Sequence, residues 1–294
     1  MDRKSFLHAL SSFTASKISG KIDELKNFTG ILPGSGPMPV LFLGHGSPMN
    51  AIGENPFVRG WKRVGLSIPK PKAILCISAH WETGGTFVTS IEKPGTIHDF
   101  GSFPQELFEV EYPAPGSPEL AAGIISMVTA TRVGSDLGRG LDHGCWSLLK
   151  QMYPAAGIPV VQMSIDATRP AQDHYDLAKE LAPLREKGVL IIGSGNLVHN
   201  MSLVAWEKIE EPEYGFDWAF EADAMMKKLI LAGDHRQLID YQSLGKSFGL
   251  AVPTPEHYLP LLYVMALRGE EENVSIFNDK IIMGSLSMTS LKIG

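Results

Sequence analysis

Three apolar runs in this chain each end in small residues and then a histidine. Val40-Leu41-Phe42-Leu43 leads into Gly44-His45-Gly46-Ser47-Pro48, and Ala73-Ile74-Leu75-Cys76-Ile77-Ser78 into Ala79-His80-Trp81-Glu82. Val189-Leu190-Ile191-Ile192 leads into Gly193-Ser194-Gly195-Asn196-Leu197-Val198-His199-Asn200. A lone histidine in such a place is most often a hydrogen-bonded core residue. Three at equivalent ends have little structural motive. Neutral imidazole is the commonest metal ligand, so the pattern predicts a metal site. Small residues beside it let the backbone come close to a bound group.

Two more histidines have unusual neighbours. His143 stands in Leu141-Asp142-His143-Gly144-Cys145-Trp146, just ahead of an expected helix. His257 stands in Thr254-Pro255-Glu256-His257-Tyr258-Leu259-Pro260, which reads as the cap, proline and acidic first turn of a helix. There Glu256 is explained by the helix dipole. His257 has no such explanation and is the preferred ligand of the two. His174 and His235 sit among polar residues and are expected to be solvated, while His8 lies in the N-terminal segment. Gly193-Ser194-Gly195 lacks the third glycine of a dinucleotide loop, and an α/β-hydrolase nucleophile elbow is not expected. Cys145 reads as a small buried apolar residue rather than a nucleophile.

These histidines need a scaffold that brings strand ends together. Four unbroken apolar runs, 40–43, 73–78, 159–165 and 189–192, have the pattern of strands covered on both faces. Helices are expected over 117–130, 173–187, 216–232 and 254–267, and two further strands over 275–277 and 281–293. Alternating strands and helices imply an α/β fold. The expectation is a mostly parallel central sheet flanked by helices, with antiparallel edge strands near the C-terminus. In such sheets ligands bind at the carboxyl ends of the strands. The Pro- and Gly-rich stretch 31–37 separates an N-terminal helical extension, 1–36, from one catalytic domain, 37–294.

Composition narrows the function. The 294 residues include 26 Lys plus Arg against 32 Asp plus Glu, a net charge of −6, which offers no footprint for nucleic acid or an anionic membrane. Two cysteines cannot form a disulfide framework and fit a reducing compartment. No apolar run has the length of a membrane span. Ser11, Ser12, Thr14, Ser16 and Ser19 interrupt any secretory core near the N-terminus. A soluble cytoplasmic protein is expected.

Taken together, these stretches resemble the class III extradiol ring-cleavage dioxygenases, and among them the bacterial 4,5-DOPA dioxygenase extradiol family, which is similar to the protocatechuate 4,5-dioxygenase beta subunit. The resemblance rests on Leu41-Phe42-Leu43-Gly44-His45-Gly46-Ser47-Pro48-Met49, Ser78-Ala79-His80-Trp81, Thr96-Ile97-His98-Asp99-Phe100-Gly101 and Tyr112-Pro113-Ala114-Pro115-Gly116-Ser117-Pro118. Asp142-His143-Gly144, Gly195-Asn196-Leu197-Val198-His199-Asn200 and Pro253-Thr254-Pro255-Glu256-His257-Tyr258-Leu259-Pro260-Leu261 continue it in unchanged order. It implies that His45, His80, His199 and His257 bind the metal, and that His143 works beside it as an acid/base. His199 belongs to both sets, as ligand and as proton carrier.

The implied reaction opens a DOPA-like catechol with O2 to a muconic semialdehyde-type product. The implied cofactor is Zn2+ or Fe2+: zinc suits an all-histidine shell, whereas oxygen chemistry requires iron(II). Related enzymes often use two histidines and a carboxylate, and here His257 stands where the acid is expected. Two other functions use the same residues: a zinc-dependent hydrolase and a zinc-storage protein with a closed shell. The loop 96–112, with His98, Asp99, Phe100, Phe103 and Tyr112, suits a pocket for an aromatic amino acid. The partners are thus a small catechol and O2, without nucleic acid or membrane, and the oligomeric state is left open.

Overall fold

The computed structural model describes residues 36–294, so the helix expected at the N-terminus lies outside the described residues. The strands are β1 (Val40–Gly44), β2 (Ala73–Thr83), β3 (Thr86–Thr89), β4 (Val133–Asp136), β5 (Val160–Asp166), β6 (Val189–Gly195), β7 (Val274–Phe277), β8 (Ile281–Ile282), β9 (Leu286–Ser287) and β10 (Ser290–Ile293). Eight of them form one sheet in the order β4-β3-β5-β2-β6-β1-β10-β7. The four apolar runs of the sequence are its four central strands, β5, β2, β6 and β1, all parallel. At the C-terminal edge β10 runs antiparallel to β1, and β7 antiparallel to β10.

The other edge carries β3, antiparallel to β5, and β4, parallel to β3. Their short, half-polar sequences gave no signal. The expected strand 281–293 is divided, because Met283 and Gly284 take positive φ (53° and 86°) and turn the chain into a β8–β9 hairpin before β10.

Every residue of β1, β5 and β6 is buried, because helices cover both faces. Helices α1 (Pro56–Ser67) and α3 (His143–Met152) pack on the face that carries Leu41, Leu43, Ile74 and Ile192. Helices α2 (Pro118–Met127), α4 (Ala171–Glu180), α5 (Asp217–Ala232) and α6 (Leu259–Ala266) pack on the face that carries Val40, Phe42, Leu75 and Ile191. The period-two alternation along each strand sends neighbouring residues into opposite cores. Among the described residues no helix is long and apolar enough to cross a membrane.

Local signals set most helix ends. Ser117 accepts a hydrogen bond from the Leu120 N–H at 3.2 Å and Pro118 takes the first turn, as expected. The expected helix over 173–187 breaks after Glu180, and a separate turn starts at Pro183, which has no N–H to continue the ladder. The last helix starts at Leu259, five residues later than expected. Thr254 does not cap it: its hydroxyl donates to Glu256 Oε1 at 2.9 Å, and the Tyr258 and Leu259 N–H groups fold back onto the Pro255 carbonyl. The residues 254–258 therefore form a turn, and His257 stands before the helix rather than in its first turn.

Three devices aim the histidines. Parallel register places Leu43 and Ser78 both beside Ser194, so that the residues leading to His45 and His80 lie at one level beside the end of β6. The β2–β5 pairing slips between Ile77 and Glu82, a bulge that redirects the backbone carrying His80. The third device is Asp142, which is fully buried and caps α3 just before His143. Its Oδ1 accepts from the Ser78 hydroxyl at 2.7 Å and from the Cys145 N–H at 3.1 Å. Gln162 bonds it twice, with Nε2 donating to Oδ2 at 2.7 Å and Oε1 accepting from its N–H at 2.9 Å.

This network joins β2, β5 and α3 behind the histidines. Removing the carboxylate with Asp142→Ala leaves several buried donors unpaired. The expected loss on denaturant unfolding is on the order of 3 kcal/mol, more than the roughly 0.5–2 kcal/mol of a lost cap alone. Asp142→Asn, which keeps the cap, is expected to lose less. A loss within the cap range for Asp142→Ala would show that the network carries no extra stability.

Candidate metal centre

His45 leaves the end of β1 with its N–H on the Gly195 carbonyl at 3.3 Å. His80 leaves the bulge of β2, and the Arg139 guanidinium holds its carbonyl at 3.0 Å. His257 arrives from the turn before α6, which lies against Gly195 so closely that a Cβ there would stand 2.2 Å from the His257 carbonyl oxygen. Only glycine permits that approach. The three rings form a nearly equilateral triangle: their centroids are 4.9 Å (His45–His80), 5.3 Å (His45–His257) and 5.1 Å (His80–His257) apart. One nitrogen from each lies within 4.8 Å of the others.

Hydrogen-bond polarity shows which nitrogens are available. His257 Nδ1 is 3.1 Å from Glu256 Oε1, and an ionised carboxylate only accepts, so this nitrogen carries the ring proton. Its Nε2 is then a bare lone pair, buried and without a partner among the described residues. His45 Nδ1 is engaged by Ser194 Oγ at 3.0 Å, while its Nε2 faces His80 Nε2 at 3.0 Å. Burial, reinforced by mutual repulsion of the rings, pushes His45 and His80 well below the usual imidazole range. Burial lowers His257 as well, against the pull of Glu256. Burial would raise Glu256, but the bond from His257 outweighs it and holds the carboxyl at about 2. Three neutral imidazoles thus converge, the donor type that binds transition metals and zinc.

Two other histidines border the triangle. His143, the first residue of α3 and nearly buried, lies against His80 with centroids 3.9 Å apart. Its Nδ1 is 3.0 Å from Asp99 Oδ1, which also accepts from its backbone N–H at 2.9 Å. Burial would raise Asp99, but the contact with His143 outweighs it and holds the carboxyl at about 2. His199 lies flat on His257, with centroids 3.5 Å apart and planes 9° apart. Burial, then His257, pushes it down to about 3. His199 groups with Glu256 and His257 rather than with His45 and His80. The expected four-histidine set is therefore present as a triangle with the fourth ring stacked on one corner.

Other expected features turn out differently. His174 is not solvated: it is 2% exposed and its Nδ1 meets the Tyr263 hydroxyl at 3.0 Å. His235 is half-buried against the Tyr175 hydroxyl. In the loop 96–112, Asp99 faces His143 and His80. Phe100 stands 5.6 Å from the His143 ring and packs with Phe103 and Phe108. Tyr112 is turned inward to the Tyr153 carbonyl, and His98 to that of Val110. Cys145 is fully buried and burial raises its thiol, as suits a core residue. A Gly-x-Ser-x-Gly stretch does exist at 245–249, but it opens a short helix instead of following a strand, and Ser247 bonds Glu221. It is no nucleophile elbow. Sequence reasoning missed the partnership of Glu256 with His257, because the first-turn explanation accounted for the acid too easily.

Comparison with known proteins agrees with this geometry. Residues 42–286 match the family described as the catalytic LigB subunit of aromatic ring-opening dioxygenase. The chain is 46% identical over 269 residues to the Escherichia coli K12 protein named 4,5-DOPA dioxygenase extradiol, covering 90% of this chain and 97% of that one. It is 37% identical over 260 residues to the Beta vulgaris protein of the same name, covering 85% and 94%. A solved Escherichia coli K12 structure, titled an uncharacterized protein, superposes with a TM-score of 0.76 at 40% identity, covering 87% of this chain and all of that one.

A carboxylate bonded to the far nitrogen of a ligating histidine fixes the ring and makes it a stronger donor. Losing such a partner typically costs about 10- to 100-fold in metal affinity. Glu256→Ala is expected to weaken binding by that amount in competition with a chelator. Unchanged affinity would mean that the carboxylate serves only the turn.

Proposed function

The chain belongs to the LigB family of aromatic ring-opening dioxygenases, and from that premise we propose that it opens the ring of a DOPA-like catechol with O2, in the extradiol manner, at a metal held by His45, His80 and His257. The observation that carries the reading is the triangle of neutral imidazoles, with the buried, partnerless His257 Nε2 at one corner. His45, His80 and His257 would hold the ion through their ring nitrogens, a donor set suited to a redox-active transition metal. Iron(II) is the proposed native metal: when bound, it supplies the redox centre that lets oxygen react with the ring, which zinc cannot do.

The protein's own groups handle protons and orientation. His143 and His199 flank the triangle through different rings, His80 and His257. Each is proposed to take a proton from a catechol hydroxyl or return one to a product oxygen as the ring opens, both atoms of O2 staying in the product. Asp99, whose carboxylate lies against both His143 and His80, is proposed to orient the His143 ring. Phe100 gives the aromatic substrate a wall beside His143. His199 is proposed to act chiefly in proton transfer, because its ring stacks on a ligand instead of closing the triangle. The amino-acid substrate named for the relatives fits this reading, and the product is a ring-opened semialdehyde.

Oxygen uptake with DOPA and simple catechols tests the proposal. Protein reconstituted anaerobically with Fe(II) is expected to consume O2 and form a yellow product, while the zinc-loaded form binds catechol and consumes none. No uptake with any catechol by Fe(II)-loaded protein would overturn the reading, and ester or amide turnover by the zinc form would favour a hydrolase. His143→Ala is expected to keep its metal and lose about 10²- to 10⁴-fold in turnover. His45→Ala is expected to lose stoichiometric metal, whereas His199→Ala should weaken binding less and impair turnover at least as much. Near-normal turnover in His143→Ala would place the proton work elsewhere.

A further inference from the structure

We infer that Ser194 is a positioning residue that fixes the tautomer of His45 and ties this ligand to the helix carrying His143. The inference rests on the metal-centre reading and adds a residue to it. A hydroxyl has one hydrogen to give. Ser194 Oγ lies 2.6 Å from the Gly144 carbonyl oxygen, which can only accept, so the hydrogen goes there. The same oxygen lies 3.0 Å from His45 Nδ1 and must therefore accept from it. A neutral imidazole has a single N–H. With that proton held on Nδ1, Nε2 is left as a lone pair, and Nε2 is the nitrogen turned toward the centre of the triangle, 3.0 Å from His80 Nε2.

The surroundings make Ser194 hard to replace. It is fully buried at the end of β6, so water has no access to substitute for the hydroxyl. It touches three elements at once: β6 itself, the end of β1 through His45, and the first turn of α3 through Gly144. Residue 144 accommodates this seat because it has no side chain. A Cβ there would stand 2.6 Å from Ser78 Oγ, 2.9 Å from His80 Cδ2 and 3.3 Å from Ser194 Oγ. The helix end thus rests directly on the serine, and the residue before Gly144 is His143. One hydroxyl sets a donor nitrogen and anchors the backbone of the acid/base.

The test uses the full chain, with Co(II) as the metal probe. In metal-free wild type, long-range proton–nitrogen correlation is expected to show His45 protonated at Nδ1. Protonation at Nε2 would overturn the inference without any variant. Ser194→Ala is expected to bind Co(II) about 10- to 100-fold more weakly in chelator competition, with an altered visible spectrum, and Ser194→Thr to restore both. Thermal unfolding of the metal-free forms separates general destabilisation from this effect. Wild-type affinity and spectrum in Ser194→Ala would sink the inference while leaving the metal centre intact. No binding by wild type would instead remove the centre itself.

Discussion

A buried imidazole carries one N–H and one lone pair, and both lose their water when the ring is enclosed. Three such rings with ring nitrogens within 4.8 Å of one another have to find partners for six groups. His45 gives its proton to Ser194 and His257 gives its proton to Glu256. His80 has no fixed acceptor: its Nδ1 is 3.7 Å from Asp99, and its Nε2 can donate to the bare nitrogen of His45. The lone pair of His257 has nothing. A positive ion held by the three rings would satisfy these lone pairs, with the His80 proton then carried on the nitrogen facing Asp99. The remainder of the scaffold can be understood as what it takes to hold this otherwise unfavourable cluster.

That holding is done by close approach rather than by bulk. β1 and β6 end in Gly44 and Gly195, beside the last β6-paired residue of β2, Ser78, and both glycines let a neighbouring backbone lie almost on top of them. Polar ties then lock the ends: Asp142 with Ser78 and Gln162, Ser194 with Gly144, Asn196 with the Ser287 carbonyl. Each is buried and directional, so each costs stability when broken and defines one geometry when whole. The large apolar cores on the two faces of the sheet supply the stability that the polar layer at the strand ends does not.

Charge is distributed in an instructive way. The two-histidine, one-carboxylate arrangement puts an anion directly on the metal. Here the third proposed ligand is a histidine, and the carboxylate of Glu256 sits one imidazole further out. The ion would keep more of its positive charge for a catechol that arrives with ionisable oxygens. Asp99 stands behind His143 in a similar relation. Two partly buried carboxylates, both held ionised, thus act on the centre through histidines and not by contact.

The sequence by itself determined the four central strands, their parallel arrangement, most helix starts and the histidines that gather at the strand ends. Those properties follow from local rules: unbroken apolar runs must be covered on both faces, a serine–proline pair opens a helix, and parallel strands finish on one side. It did not show the edge strands β3 and β4, whose pairing is non-local, or the turn at 254–258, where Glu256 bonds a neighbour instead of a helix end. It gave His174 to solvent, because polar neighbours in sequence say little about what packs over a side chain. It pointed to four histidines as expected ligands without showing that three converge and one stacks. Only the tertiary structure decided that, since the direction of a ring depends on the bulge of β2, the hydroxyl of Ser194 and the carboxylate beside His257, contacts between residues far apart in the chain or fixed by a turn that no local pattern announces.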